Sequence, residues 1–361
     1  MRILILSAEY PPMISGMGDY GKNLVDFLKQ EGHEISVLTS NEVPGWDSAA
    51  WPAVRSAVEK FRPEIFHIQY MTSTFQNKIF VHFLPFYLKR KFPQLRVVTT
   101  YHELAAPWKR LLLLPLFWGS DANLVTNERH FNLLNGLRKF FVLPGPLEKI
   151  HLGANVFPVS PDPARRKKLR SEMGVQENEF LFVRFGILHD VILPRLVELA
   201  GVFEKARAQG LPAKLLLMGK AEPRAKEGLL GKVAGREWII FKSDLSPELL
   251  SEYLHASDAG LALYPDGVSE KRTAFLSLLA HGLPVIATQR GKLPAELKDG
   301  ENILCVPVGC DENLWIQSVR KLIGDPRLRS RLSQEGRKVA ALHDWKNIAS
   351  ETTRFYQKIL K

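Results

Sequence analysis

Along this chain, short unbroken apolar runs alternate with stretches whose apolar residues recur at helical spacing. RILILSA is apolar at successive positions, which suits a strand buried on both faces of a parallel sheet. From about Asp19 to Gln30 the residues Tyr20, Leu24, Phe27 and Leu28 share one helical face, and Gly32 stops the helix before the strand EISVLTS. The alternation continues with a helix over Trp51–Phe61, the strand RPEIFHIQY, a helix around Ile79 to Arg90 and the strand LRVVTTYHE. SDANLVTNERHFNLL then reads as a short strand ending at Thr126-Asn127, with a helix after it. Pro158 to Arg170, with three prolines and a basic run, is expected to be a linker, after which NEFLFVRFGIL and AKLLLMGK begin a second set of strands. Ala256–Thr288 carries the clearest unit: the strand GLALY, a polar loop, a helix starting near Thr273 and closing at His281-Gly282, and the strand PVIAT. That is a β–α–β unit, and the pattern as a whole predicts an α/β protein with parallel sheets.

At 361 residues the chain exceeds one ordinary core, so two domains are expected. Apolar residues make up 45% and charged residues 24%, as in globular proteins, and no run reaches the roughly 18 apolar residues of a membrane-spanning helix. MRILILSAEYPP has one basic residue, a short apolar run and no small-residue cleavage site, and reads as a first strand rather than a secretory leader. Cys305 and Cys310 cannot build a disulfide framework, which points to a reducing cytoplasm. The net charge of +11 suits anionic partners. No zinc-ligand spacing, RNA-binding aromatic signature or heptad is present, so nucleic acid is set aside. The run Leu111–Trp118, preceded by Lys109 and Arg110, reads either as a buried helix or as a segment docking peripherally on an anionic membrane at its inner face.

Candidate chemistry collects where strands end, because ligands of open α/β sheets bind at the carboxyl ends of strands. Gly16 and Gly18 precede a helix N-terminus, where glycine permits close backbone approach and the helix end favours a diphosphate. Gln69 and Tyr70 end one strand, and His102 and Glu103 end another. The loop after GLALY carries Asp266, Ser269, Glu270, Lys271 and Arg272, and the cations beside the helix start at Thr273 make a phosphate seat.

A helix closing on AHGLPVIAT after a strand and polar loop resembles the donor-binding segment of nucleotide-sugar glycosyltransferases. The likeness is to the retaining family 4, glycosyl transferases group 1, and it covers nearly the whole chain. That resemblance implies the GT-B fold: two facing Rossmann-like domains with parallel sheets, 1–158 for the acceptor and 159–345 for the donor, and a C-terminal helix, 346–361, crossing back to the first. It implies donor contacts at Gly16, Gly18, Gly186, Asp266, Ser269, Thr273 and Ser277. It implies acceptor contacts at Asp19, Gln69, Tyr70, Glu103 and Asn127, with His102, Arg272 and Glu270 at the reacting centre. Two departures stand out. The two glutamate places of the family pattern hold Ser269 and Ser277, although one branch carries Asp-Gly-Val-Ser-x-x-Arg as here. HDVILPRLVEL replaces the usual lysine-bearing segment after Phe185-Gly186, leaving Arg195, Arg184 or Lys220 as substitutes.

The implied reaction moves a sugar, with retention, from a nucleotide-diphosphate sugar to a hydroxyl of a glycan or lipid-linked glycan. Protein cations would do the work of a metal, so neither metal nor cofactor is expected, and no Asp-x-Asp pair is present. Three other readings compete: a GT-B protein that binds a nucleotide-sugar or partner without transfer, a nucleotide-sugar epimerase, and a dehydrogenase using the Gly-x-Gly-x-x-Gly of Gly16, Gly18 and Gly21. Seven residues between the first strand and Gly16 count against the last.

Overall fold

The structure, a computed structural model, describes residues 1–13, 15–75, 77–104, 111–141, 145–233 and 235–361. The chain divides into two compact units, Met1–Gly153 with Asp344–Lys361, and Ala154–His343. The first contains β1 (Arg2–Leu6), β2 (Glu34–Leu38), β3 (Ile65–Tyr70), β4 (Arg96–Tyr101), β5 (Ala122–Val125) and β6 (Leu147–Lys149), in the order β2-β1-β3-β4-β5-β6. The second contains β7 (Phe180–Phe185), β8 (Ala213–Met218), β9 (Ile239–Lys242), β10 (Ala259–Ala262), β11 (Val285–Gln289) and β12 (Leu304–Pro307), in the order β12-β11-β10-β7-β8-β9. Among the described residues all ten strand pairings are parallel.

Continuous apolar strands cover both faces of each sheet because successive side chains point to opposite sides. Ile3 and Ile5 enter a core with Tyr20, Leu24 and Leu28, while Leu4 and Leu6 enter the other with Phe66, Ile68 and Leu84. In the second unit Leu181, Val183 and Phe185 face one core and Phe182 the other.

The helix Trp345–Leu360 is part of the first unit's core. Trp345 stacks on Phe27 with ring centroids 6.0 Å apart, and Tyr356 shares a 2.5 Å hydrogen bond with His67 Nδ1. A Cβ at Gly153 would stand 2.3 Å from Trp345 Nε1, so the seat of this helix requires glycine there.

Three expectations are corrected. Residues 158–170 are not a linker: Pro163–Glu172 is a helix capped by Asp162, with Pro163 at its first position. Its Arg166 and Arg170 converge on Asp258, Arg170 at 2.9 Å, so the basic run is held by ion pairs instead of standing free. The first helix spans Gly16–Gln30, beginning before Asp19 because Ser15 caps it. The run Leu111–Trp118 is neither wholly buried nor wholly exposed: Leu114–Gly119 is helical, Leu116 and Phe117 are buried, and Leu111, Leu112 and Trp118 are exposed. Lys109 and Arg110 lie outside the described residues. Among the described residues, no helix is long and apolar enough to cross a membrane.

Strand order reverses between β1 and β3 in the first sheet and between β7 and β10 in the second. Such switch points open crevices at the carboxyl ends of the strands.

Candidate functional site

At the second unit's switch point, β7 contributes a single arginine to an otherwise apolar strand. Arg184 is 5% exposed, and its Nη1 donates to the carbonyls of Gly186 at 2.8 Å and Ile187 at 3.2 Å. No carboxylate pairs with it among the described residues. Burial lowers its pKa to about 10, the expected response of a cation taken out of water without a counter-charge. Gly186 has φ +138°, and a Cβ there would lie 3.6 Å from Arg184 Nη2 and 3.5 Å from the Ala274 Cβ. Gly186 therefore lies directly against the guanidinium, next to the start of the helix Thr273–Ala280.

That helix begins at Arg272 with no side-chain cap. Among the described residues no acceptor serves the N–H groups of Thr273 or Ala274. Burial raises the pKa of the Tyr264 hydroxyl, against the opposing pull of Arg184, Arg272 and the Phe275 N–H. Arg272 lies 4.5 Å over the Tyr264 ring, and its Nη2 donates to both oxygens of Asp266. A buried cation, two unpaired N–H groups and a paired cation thus surround one point: a seat for a group with several negative oxygens.

The other donor-side candidates are placed differently. Ser277 is fully buried; its hydroxyl donates to Asn155 at 2.9 Å and accepts from the Val156 N–H. It ties the helix to the incoming chain, and its hydrogen-bonding capacity is spent inside the protein. Arg195 pairs with Glu198 at 2.7 Å and lines a cavity of about 270 Å³ with Thr288, Trp315 and the same Tyr264. Lys220 follows β8, and its carbonyl accepts from the Leu188 N–H. Ser269 and Glu270 lie half-buried in the loop, where the Ser269 carbonyl accepts the Arg272 N–H.

At the first unit's switch point, Ser15 accepts from the N–H groups of Met17 and Gly18 at 3.0 Å and donates to Glu9, which Thr74 also reaches. This cap occupies two of the N–H groups that the glycine loop offers a diphosphate. Gly18 is glycine for an internal reason, since a Cβ would meet Tyr10 Cα at 3.4 Å, whereas Gly16 has open space around it. Asp19 stands in the helix's first turn.

His102 is buried, and its Nε2 donates to Gln69 Oε1 at 2.7 Å. That bond requires a proton on Nε2 and fixes the orientation of the ring. Gln69 continues to His67, which bonds Thr100 at 2.7 Å and Tyr356 at 2.5 Å. Burial depresses the His67 pKa to about 3, so its neutral ring acts as a strut. Glu103 accepts from the Ser73 N–H at 3.0 Å, and Asn127 accepts from the His130 N–H at 2.9 Å. Tyr70 is corrected from a site residue to a core residue: it is 0% exposed and its hydroxyl meets His82 at 3.0 Å, because its side chain points to the helix-covered face.

Sequence reasoning named Arg184 only as one of three substitutes and missed Tyr264. A lone arginine inside FLFVRF was the available signal, since unpaired arginines are seldom fully buried.

Residues 189–325 match the family model for Glycosyl transferases group 1. A D-inositol 3-phosphate glycosyltransferase of Corynebacterium urealyticum is 23% identical over 214 residues, 57% of this chain and 50% of that protein. The chain thus spans about half the length of that curated relative. Sucrose-phosphate synthase from Thermosynechococcus elongatus superposes with a TM-score of 0.73 at 19% identity, covering 99% of this chain and 98% of the other. Anabaena Alr3699/HepE in complex with UDP and glucose gives 0.68 at 16% identity, covering 99% and 100%. The chain has the GT-B fold over its full length, and its residues 189–325 are similar to the Glycosyl transferases group 1 family.

Proposed function

We propose that the chain transfers a glycosyl group from a nucleoside-diphosphate sugar to a hydroxyl of a glycan or lipid-linked glycan, with retention and without a metal. The carrying observation is Arg184: a buried cation that no carboxylate among the described residues pairs, lying against Gly186 beside the N–H groups of Thr273 and Ala274, which no acceptor among the described residues serves. In the transfer, the bond from the anomeric carbon to the diphosphate oxygen breaks and the bond to the acceptor oxygen forms. The acceptor's proton passes to the departing phosphate oxygen, so no separate carboxylate base is needed. Fixed cations and N–H groups aimed at the departing diphosphate are the efficient way to stabilise its developing charge. His102, held in place by Gln69 at the end of β4, is a group to orient a sugar hydroxyl. The names of the relatives and the UDP held by one structural neighbour support this reading.

Turnover of UDP-, GDP- and ADP-sugars, followed by release of the nucleoside diphosphate with a panel of glycan acceptors, tests it. Turnover that continues in EDTA is expected, and loss of turnover in EDTA would remove the metal-free part. A second reading, binding without transfer, is favoured by the engaged Ser277 hydroxyl and by Asp266 neutralising Arg272. Nucleotide-dependent thermal stabilisation with no turnover on any acceptor would select it.

A further inference from the structure

We infer that the helix Ile79–Lys91 and the segment Leu111–Gly119 of the first unit form a surface that docks on an anionic lipid bilayer. Ile79, Phe83 and Phe86 recur at helical spacing on one stripe, exposed by 71%, 46% and 45%, and Arg90 continues that stripe. The helix therefore buries one face, through Phe80, Val81, Leu84 and Leu88, and presents a second apolar face to solvent. Phe83 and Phe86 lie 6.4 Å apart. Phe86 also abuts Gly119, where a Cβ would stand 3.1 Å from its ring and 2.8 Å from Pro85, so the two segments are pressed together. The second segment adds Leu111, Leu112 and Trp118, each at least 43% exposed. Apolar exposure concentrated in this way on one surface marks an interaction site.

The charge around the patch selects the occupant. From Asn77 to Leu95 and from Leu111 to Ser120 there is no Asp or Glu, in a chain holding 38 of them. Arg90 and Lys91 are exposed and have no carboxylate partner among the described residues. The nearest acid along the second segment, Asp121, is already held by Lys89 at 2.9 Å and Arg96 at 3.8 Å. Aromatic and branched side chains beside uncompensated cations, with no acid among them, complement acyl chains beneath anionic headgroups. A second copy of the same face would bring like charges together, which disfavours self-pairing.

The test is co-sedimentation with vesicles of equal parts phosphatidylglycerol and phosphatidylcholine, against vesicles of phosphatidylcholine alone. The full chain should pellet with the anionic vesicles and be released as salt rises from ~0.1 to ~0.5 M. Arg90→Glu and Lys91→Glu should each weaken partition about fivefold or more. Phe83→Asp with Phe86→Asp should abolish it while the melting temperature and any nucleotide-dependent stabilisation persist. Phe83→Ser with Phe86→Ser is the milder pair should the aspartates impair folding. A wild-type chain that stays in the supernatant overturns the inference, as does undiminished pelleting of the serine pair. Light scattering that shows a dimer which the serine pair dissociates overturns it in favour of self-association. Vesicle binding needs no donor, so its failure leaves the transferase reading untouched, and the reverse holds.

Discussion

Arg184 is costly to the fold, and in the proposed function its value lies with the ligand. A buried guanidinium bonded to two carbonyls and, among the described residues, to no carboxylate gives up hydration that its contacts do not restore. Arg184→Met keeps the volume and removes the charge. We expect its melting temperature to equal or exceed that of the wild type, while affinity for nucleoside diphosphates falls roughly 10- to 100-fold, the range for a lost charge-assisted hydrogen bond. Titration calorimetry and a thermal melt on the same variant check both halves. Lower stability with unchanged affinity would make Arg184 merely structural. His67 supplies a residue-scale pH dependence. Its folded pKa of about 3 lies below the ordinary histidine value, so between the two the unfolded chain binds the extra proton. Stability therefore falls as pH drops below about 6.5, by roughly 2 kcal/mol between pH 7 and 5. His281, pushed down to about 4 by burial, acts in the same direction. Denaturant melts across that range should show a shallower slope for His67→Gln.

At the scale of elements, Gly153 and the helix Trp345–Leu360 form a matched pair. Gly153→Ala drives a methyl into the Trp345 ring, and overpacking of this kind costs about 1–3 kcal/mol. A denaturant midpoint shift without change in slope is the expected result. The elements themselves were largely legible: the alternation of apolar runs with helical stripes reported the strands β1, β3, β4, β7 and β8, and the break at His281-Gly282 coincides with a glycine at φ +71°. What stayed hidden was partnership between distant residues. Periodicity does not show that Arg166 and Arg170 fold back to Asp258, so a capped helix reads as a linker. A strand-end tyrosine gives no sign of which face it takes, and Tyr70 went to the core. Likewise the serine at 277 resembled a ligand contact until Asn155, more than a hundred residues away, accounted for its hydroxyl.

Across the whole molecule the two candidate centres belong to different units and rest on different physics. One is a cationic seat at β7 and β10, and the other a chain of hydrogen bonds from Tyr356 through His67 and Gln69 to His102. A nucleoside diphosphate should therefore slow amide exchange around 184–188 and 272–276 and leave the helix Ile79–Lys91 unchanged, as exchange mass spectrometry can read. Equal protection everywhere would mean that the ligand acts on global stability alone. The placement of Trp345–Leu360 in the first unit has a consequence for birth of the chain on the ribosome. The first sheet leaves the exit tunnel early but lacks Trp345, Ile348, Phe355 and Tyr356 until all of Ala154–His343 has been translated. At ~5–20 residues per second that delay is roughly 10–40 seconds, during which the later-made unit can complete its core first and the earlier one waits with an open flank for chaperones to shield.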